Sequence, residues 1–291
     1  MLQYYYSARR VNPKPPDKDI VGTFILNKTD VNPNLTRLSA VVIEHEIYIY
    51  GGVNGSVTGR LVRYNPFSRV STNLPPGAAL YDAAVVEYNN KLYRFGGYTG
   101  SAVVNTAAMY DPLTNRWLTL TALPSPTRGA GIFVFNNKIY IVGGYDGRAN
   151  VSSIVVFDPA TNTYTTHPLP GNQRTYGAVS DTIDGLFYCA GGMNNSSTMG
   201  IYNPITNKWS KASNLPNPVA WGGCCVDKGG LFVYGGIDPN SLVATRNLYT
   251  FDPEIGNWVV LAQGPVNSAY FPLVHCYGRV FLVGPSIYEI Q

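Results

Sequence analysis

Short runs rich in Val, Ile, Tyr and Phe recur along the chain, and glycine pairs or Asn/Asp-Pro steps close them. Residues 91–117 show one complete unit: KLYRFGG, a loop, then YDPLTNRW. Such runs fit half-buried pleated strands. The glycines fit strand ends where a side chain would crowd the backbone or forbid a positive φ. The Asn/Asp-Pro steps fit turns, because Pro presets φ and the Asx side chain bonds nearby amides. The pattern predicts an all-β chain with no apolar run long enough to span a membrane as a helix.

Aligning the units on the first glycine of each pair exposes a repeat. The pairs are Gly51-Gly52, Gly96-Gly97, Gly143-Gly144, Gly191-Gly192 and Gly235-Gly236, with Gly284-Pro285 as a degenerate sixth. Their spacings of 45, 47, 48, 44 and 49 residues fall in the range of propellers and similar arrays. Three residues before each glycine stands Tyr48, Tyr93, Tyr140, Tyr188, Phe232 or Phe281. Downstream come Tyr64-Asn65-Pro66, Tyr110-Asp111-Pro112, Phe157-Asp158-Pro159, Tyr202-Asn203-Pro204 and Phe251-Asp252-Pro253. Trp117, Tyr164, Trp209 and Trp258 follow, with Val70 as the exception in the first unit.

Glycine pair, aromatic-Asx-Pro and tryptophan together resemble the kelch repeat, in which each unit is one four-stranded blade of a β-propeller. The resemblance covers roughly residues 20–291 and implies a six-bladed kelch-type propeller in a single domain. Residues 1–19, with three tyrosines, two arginines and three prolines, read as an extended arm that lies along the propeller or is held by a partner. Residues 20–33 fall into register as an outer strand with no blade of its own, Leu26 taking the tryptophan position. The last unit, ending at Gln291, lacks a fourth strand. The N-terminal strand is therefore expected to complete the sixth blade and close the ring, leaving only short edges.

Composition narrows the function. A net charge of +4 with scattered Lys and Arg gives no basic tract of the kind a nucleic acid selects. Only 13% of residues are charged, about half the ~25% usual for soluble domains. Either a lineage bias toward Asn, Ser and Thr or a surface extensively covered by partners accounts for that. The four cysteines, Cys189, Cys224, Cys225 and Cys276, form no Cys-x-x-Cys pattern, and read as unbridged core residues in a reducing compartment. The expected location is cytoplasmic, or a virion if the chain is viral.

The candidate site lies just ahead of each predicted inner strand. Tyr81, Arg128, Tyr176, Trp221 and Tyr270 stand 14 or 15 residues before the glycines, with Arg37 in the first unit and Arg174 close by. Propeller symmetry gathers these positions on one face around the central channel. Interfaces favour Tyr, Trp and Arg because they bury area and keep a polar handle; packing on neighbouring loops is the plainer role for the same residues. In kelch adaptors this face grips short, often acidic peptides, and Arg128 stands where that family often carries arginine. The other positions here are mostly aromatic.

No catalytic, metal or cofactor site is expected. His45, His167 and His275 occupy different repeat offsets, and Asp82, Asp146 and Asp238 read as lone turn-formers. The reading is a non-catalytic platform that binds a protein or peptide. Two alternatives stand beside it: a structural subunit of a larger, viral-type assembly joined through the arm, and a carbohydrate-binding or sugar-acting propeller.

Overall fold

The computed structural model describes residues 23–28, 34–169, 175–194 and 197–291. The predicted arm (1–19) and Arg174 lie outside them. Among the described residues the main strands form six antiparallel four-stranded sheets, the blades of a propeller. The innermost strands are Ser39–Ile43, Ala84–Tyr88, Gly131–Phe135, Val179–Ile183, Gly223–Asp227 and Leu273–Cys276, each touching the next around the ring. Among the described residues no helix is long and apolar enough to cross a membrane.

The core is divided into six. Each apolar cluster lies between two neighbouring blades, as where Tyr50 and Leu61 of blade one meet Leu92 and Tyr110 of blade two. Second strands such as Glu46–Tyr50 and Leu186–Ala190 are buried along almost their whole length. Both faces of each blade are covered, so the sequence shows continuous apolar runs instead of strict alternation.

The repeat motifs are the joints between blades. A Cβ on Gly96, whose φ is +60°, would stand 2.1 Å from the Thr127 carbonyl oxygen of the next connector. The Gly97 amide donates to that same oxygen at 2.8 Å. The Asx residues accept the amides that follow, as Asp111 does from Leu113 at 2.9 Å and Asn65 from Phe67 at 3.0 Å. The outer aromatics reach back one blade: Trp117 Nε1 donates to Pro75 O at 2.9 Å, and Trp258 Nε1 to Ser213 O at 2.9 Å.

Ring closure follows the expected route. Phe24–Lys28 pairs antiparallel with Ile287–Ile290, and Thr23 and Gln291 exchange two backbone hydrogen bonds of 2.9 Å. The register differs from the sequence reading, however. Phe24, opposite Ile290, takes the tryptophan position instead of Leu26, and its ring packs 5.1 Å from Tyr234 of blade five. Leu26 is left 47% exposed. Phe24 and Leu26 lie on the same strand face two residues apart, so hydrophobicity alone did not separate them.

In blade one, Ser71 rather than Val70 stands opposite Tyr64. Buried Asn27 from the closing strand bonds the Tyr64 hydroxyl and reaches the Pro66 carbonyl at 3.5 Å. A polar link thus ties blade six to the one blade of the first five that lacks a bulky outer aromatic. All four cysteines are free, and burial pushes Cys189 up to about 12 and Cys276 up to about 11.

Candidate functional site

The inner strands begin at the mouth of the channel. Six residues lie 14 positions before the glycines: Arg37, Asp82, Gly129, Gly177, Trp221 and Tyr270. All have positive φ, between 54° and 69°. Four backbone hydrogen bonds link them in sequence: Gly129 N to Asp82 O (2.8 Å), Gly177 N to Gly129 O (3.1 Å), Trp221 N to Gly177 O (2.7 Å) and Tyr270 N to Trp221 O (2.7 Å). Three of the aligned residues, Tyr81, Arg128 and Tyr176, occupy the preceding position. There the backbone bonds outward to Tyr98, Tyr145 and Met193 of the loops after the glycine pairs. The single band read from the sequence is therefore two adjacent rings.

The structure brings Arg37, Tyr81, Arg128, Tyr176, Trp221 and Tyr270 together as one half-buried cluster. The Trp221 indole lies over the bare backbones of blades three and four, where a Cβ on Gly129 or Gly177 would meet it at 2.6 or 2.7 Å. Its ring stands edge-on to Tyr176 at 5.1 Å and tilted to Tyr270 at 5.5 Å. The Arg37 guanidinium carbon sits 3.9 Å from the Tyr270 ring centre, 5.2 Å from Tyr81 and 5.4 Å from Trp221. Arg37, Asp82, Trp221 and Tyr270 themselves line a cavity of about 160 Å³, together with Leu38, Ala83, Ala130 and Ala178. That volume suits a small side chain or a few waters.

Asp82 organises the charge. Arg37 Nη1 lies 2.7 Å from its Oδ2, and Arg128 Nε lies 3.9 Å from the same oxygen. The Asp82 side chain is only 2% exposed, against 22% for Arg37 and 17% for Arg128. Burial raises its pKa, with Arg37 and then Arg128 opposing the shift. Arg128 Nε also donates to the Tyr176 hydroxyl at 3.2 Å. Two guanidiniums share one carboxylate, so the cluster keeps one net positive charge on its open side.

Asp82 was read from sequence as a turn-former, and here that reading fails. Its side chain turns inward between two arginines, whereas Asp146 and Asp238 do cap turns, bonding the amides of Arg148 and Asn240 at 2.7 and 2.8 Å. Sequence reasoning also passed over Tyr98 and Tyr145. Tyr98 packs edge-on to Tyr81 at 5.3 Å and lies 4.7 Å from Arg128, and Tyr145 stacks on Tyr176 at 5.0 Å. Both stand two residues after a glycine, an offset visible in the repeat. Among the described residues no three His, Cys, Asp or Glu gather to hold a metal.

Comparison with known proteins agrees with this fold. The family described as "KLHDC2/KLHL20/DRC7 Kelch-repeats domain" matches residues 37–236. Kelch-like protein terF of Aspergillus terreus is 28% identical over 246 residues, 76% of this chain and 54% of the relative. Kelch-like protein 35 of Mus musculus is 30% identical over 174 residues, 59% of this chain and 29% of the relative. The chain thus aligns with about half the length of the first relative and less than a third of the second. The solved structure titled "Structure of YjhT" superposes with a TM-score of 0.76 at 18% identity, covering 90% of this chain and 95% of that one; it is alike in fold. The sixfold glycine register, the Asx-Pro turns, the closed ring of six blades and the matched family description agree, and the chain belongs to the kelch-repeat family.

Proposed function

We propose that this chain is a non-catalytic platform that takes a protein partner on its channel-mouth face, with Arg37, Tyr81, Arg128, Tyr176, Trp221 and Tyr270 as anchors. The observation that carries the reading is the excess of interface-type side chains at the mouth. The joints between blades use the glycines, the connector carbonyls and the outer aromatics. They make no demand for two arginines and four large aromatic rings above the channel. Half-buried Tyr, Trp and Arg held in place by one another present large area at small ordering cost. The unshared positive charge favours a partner segment bearing a carboxylate, to which an arginine offers paired donors.

The test begins with a pull-down from the native source, in which mass spectrometry identifies a stoichiometric partner. Affinity for that purified partner is then measured with Tyr176→Ala/Trp221→Ala. Central anchors of this kind cost about 2 kcal/mol on truncation, roughly thirtyfold in affinity. A loss of at least tenfold with an unshifted melting temperature supports the face. Unchanged binding, or a variant that melts early, assigns these residues to packing. Tyr98→Ala, at the edge of the cluster and outside the backbone ring, serves as a second and milder probe.

A further inference from the structure

The face opposite the channel mouth carries turns of two kinds, those joining each inner strand to the second strand and the Asx-Pro turns. In blades two to five the first kind is built from Asn89-Asn90, Asn136-Asn137, Asp184-Gly185 and Lys228-Gly229. Blades one and six place rings there instead, His45 and Tyr277. The Asx-Pro turn of blade one adds Phe67, where the later blades have Leu113, Ala160, Ile205 and Glu254. The repeat is therefore broken at one junction, between blades six and one.

The three rings gather into one cluster that spans the two blades. His45 stacks on Tyr277 with ring centres 4.0 Å apart, and Phe67 stands edge-on to Tyr277 at 4.5 Å. The Arg279 guanidinium carbon lies 5.7 Å from the Phe67 ring centre. All four residues are exposed, Phe67 and Tyr277 by 53% and 50%. A lone exposed ring needs no explanation, whereas rings gathered in solvent mark a surface that takes a partner.

The route by which the chain enters the ring points to the occupant. The closing strand Phe24–Lys28 runs from this face toward the channel mouth, so the residues before it emerge on this face, at this same junction. A line of contacts leads from there to the rings. Thr23 exchanges backbone hydrogen bonds with Gln291, Gln291 Nε2 donates to Glu289 Oε1 at 2.7 Å, and Arg279 Nη1 donates to the same oxygen at 3.0 Å. Pro13, Pro15 and Pro16 stand seven to ten residues ahead of Thr23, a spacer that reaches up to ~23–33 Å. Asn12, Lys14 and Pro15 each precede a proline, which biases them toward an extended backbone. Proline-rich segments of that kind dock on aromatic surfaces at small cost in ordering.

We propose that Pro13–Pro16 of the N-terminal arm, which lies outside the described residues, docks on the His45, Phe67 and Tyr277 rings. The arm then folds back across the seam between blades six and one. Tethering keeps the segment at about millimolar concentration beside the rings, so a contact too weak to capture a free peptide suffices. The site is separate from the channel mouth and stands or falls without it.

The test is photo-crosslinking in an equimolar mixture of isotope-labelled and unlabelled full chain. p-Benzoylphenylalanine replaces Phe67 or, as a control, Leu113 at the same turn of blade two. The expected result is a link from position 67 to residues 11–18 of the same copy, and none from position 113. Pro13→Ser/Pro15→Ser/Pro16→Ser should cut that link roughly fivefold or more with the melting temperature unmoved. Links between labelled and unlabelled chains would assign the rings to a second copy. Links from position 67 only to other parts of the chain, or no link at all, would place the arm elsewhere. Each of those results overturns the proposal, as does an equal link from position 113 or a link that survives loss of the prolines. In an extract of the source cells, a different protein linked at position 67 in place of the arm overturns it too.

Discussion

Two glycines show how strongly the cost of one methyl group depends on its surroundings. At Gly96 an added Cβ meets the backbone oxygen and carbon of Thr127 at 2.1 and 3.1 Å, and neither is the end of a flexible side chain. At Gly229, with φ +79°, nothing lies within 4 Å. Gly229→Ala therefore pays only for the left-handed backbone, about 1 kcal/mol. Gly96→Ala must also push two blades apart, for about 3 kcal/mol or more. Urea unfolding of the two variants checks the difference, and equal losses would show that backbone conformation alone explains the glycine pairs.

At the scale of the element, the turn between third and outer strands repeats with interchangeable Asp and Asn. Asn65 and Asn203 accept amides as Asp111 and Asp158 do. The aspartates add ion pairs, Lys91 to Asp111 at 2.5 Å and Lys138 to Asp158 at 3.2 Å. The hydrogen bond from Lys91 holds the Asp111 carboxyl below its ordinary range, and the Ala160 amide does the same for Asp158. A folded-state pKa below the unfolded value, ~3.9 for Asp, means stability that is present above that value. It is lost as pH falls through the depressed one. Asp111→Asn/Asp158→Asn should keep the turns, since asparagine already serves in blades one and four, and lose less melting temperature than the parent between about pH 5 and pH 2. Equal acid losses in parent and variant would place the acid sensitivity elsewhere.

The whole molecule depends on closure, because its apolar clusters lie at six junctions between blades. The closing strand serves two of them: Phe24 packs toward blade five, and Asn27 bonds blade one. Deleting residues 1–30 removes that strand and leaves Ile287–Ile290 as an unpaired edge. Deleting residues 1–15 removes no described strand. The longer deletion should lower the melting temperature by more than about 10 °C, given roughly 2–4 °C per kcal/mol for a chain near this size. Equal melting temperatures would show that the strand adds nothing to the ring.

The repeat was legible in the sequence because its joints use residue types with few substitutes. Only glycine tolerates the close approach at Gly96, and Asx-Pro and tryptophan recur at fixed offsets, so fold, blade number and route of closure followed without coordinates. That the candidate residues gather on one face was legible too, since nearly equal offsets in a ring lie at similar heights. Its chemistry was not. Asp82 looks like any turn aspartate until the ring places Arg37, 45 residues earlier, and Arg128, 46 later, against its oxygen. Phe24 and Leu26 likewise compete for one position on one strand face. Local sequence determines which residues form strands, turns and joints, because those depend on near neighbours along the chain. Which charge meets which, which apolar side chain is left in solvent, and which of two apolar residues on one strand fills a gap depend on contacts across blades, and the tertiary structure alone decides them.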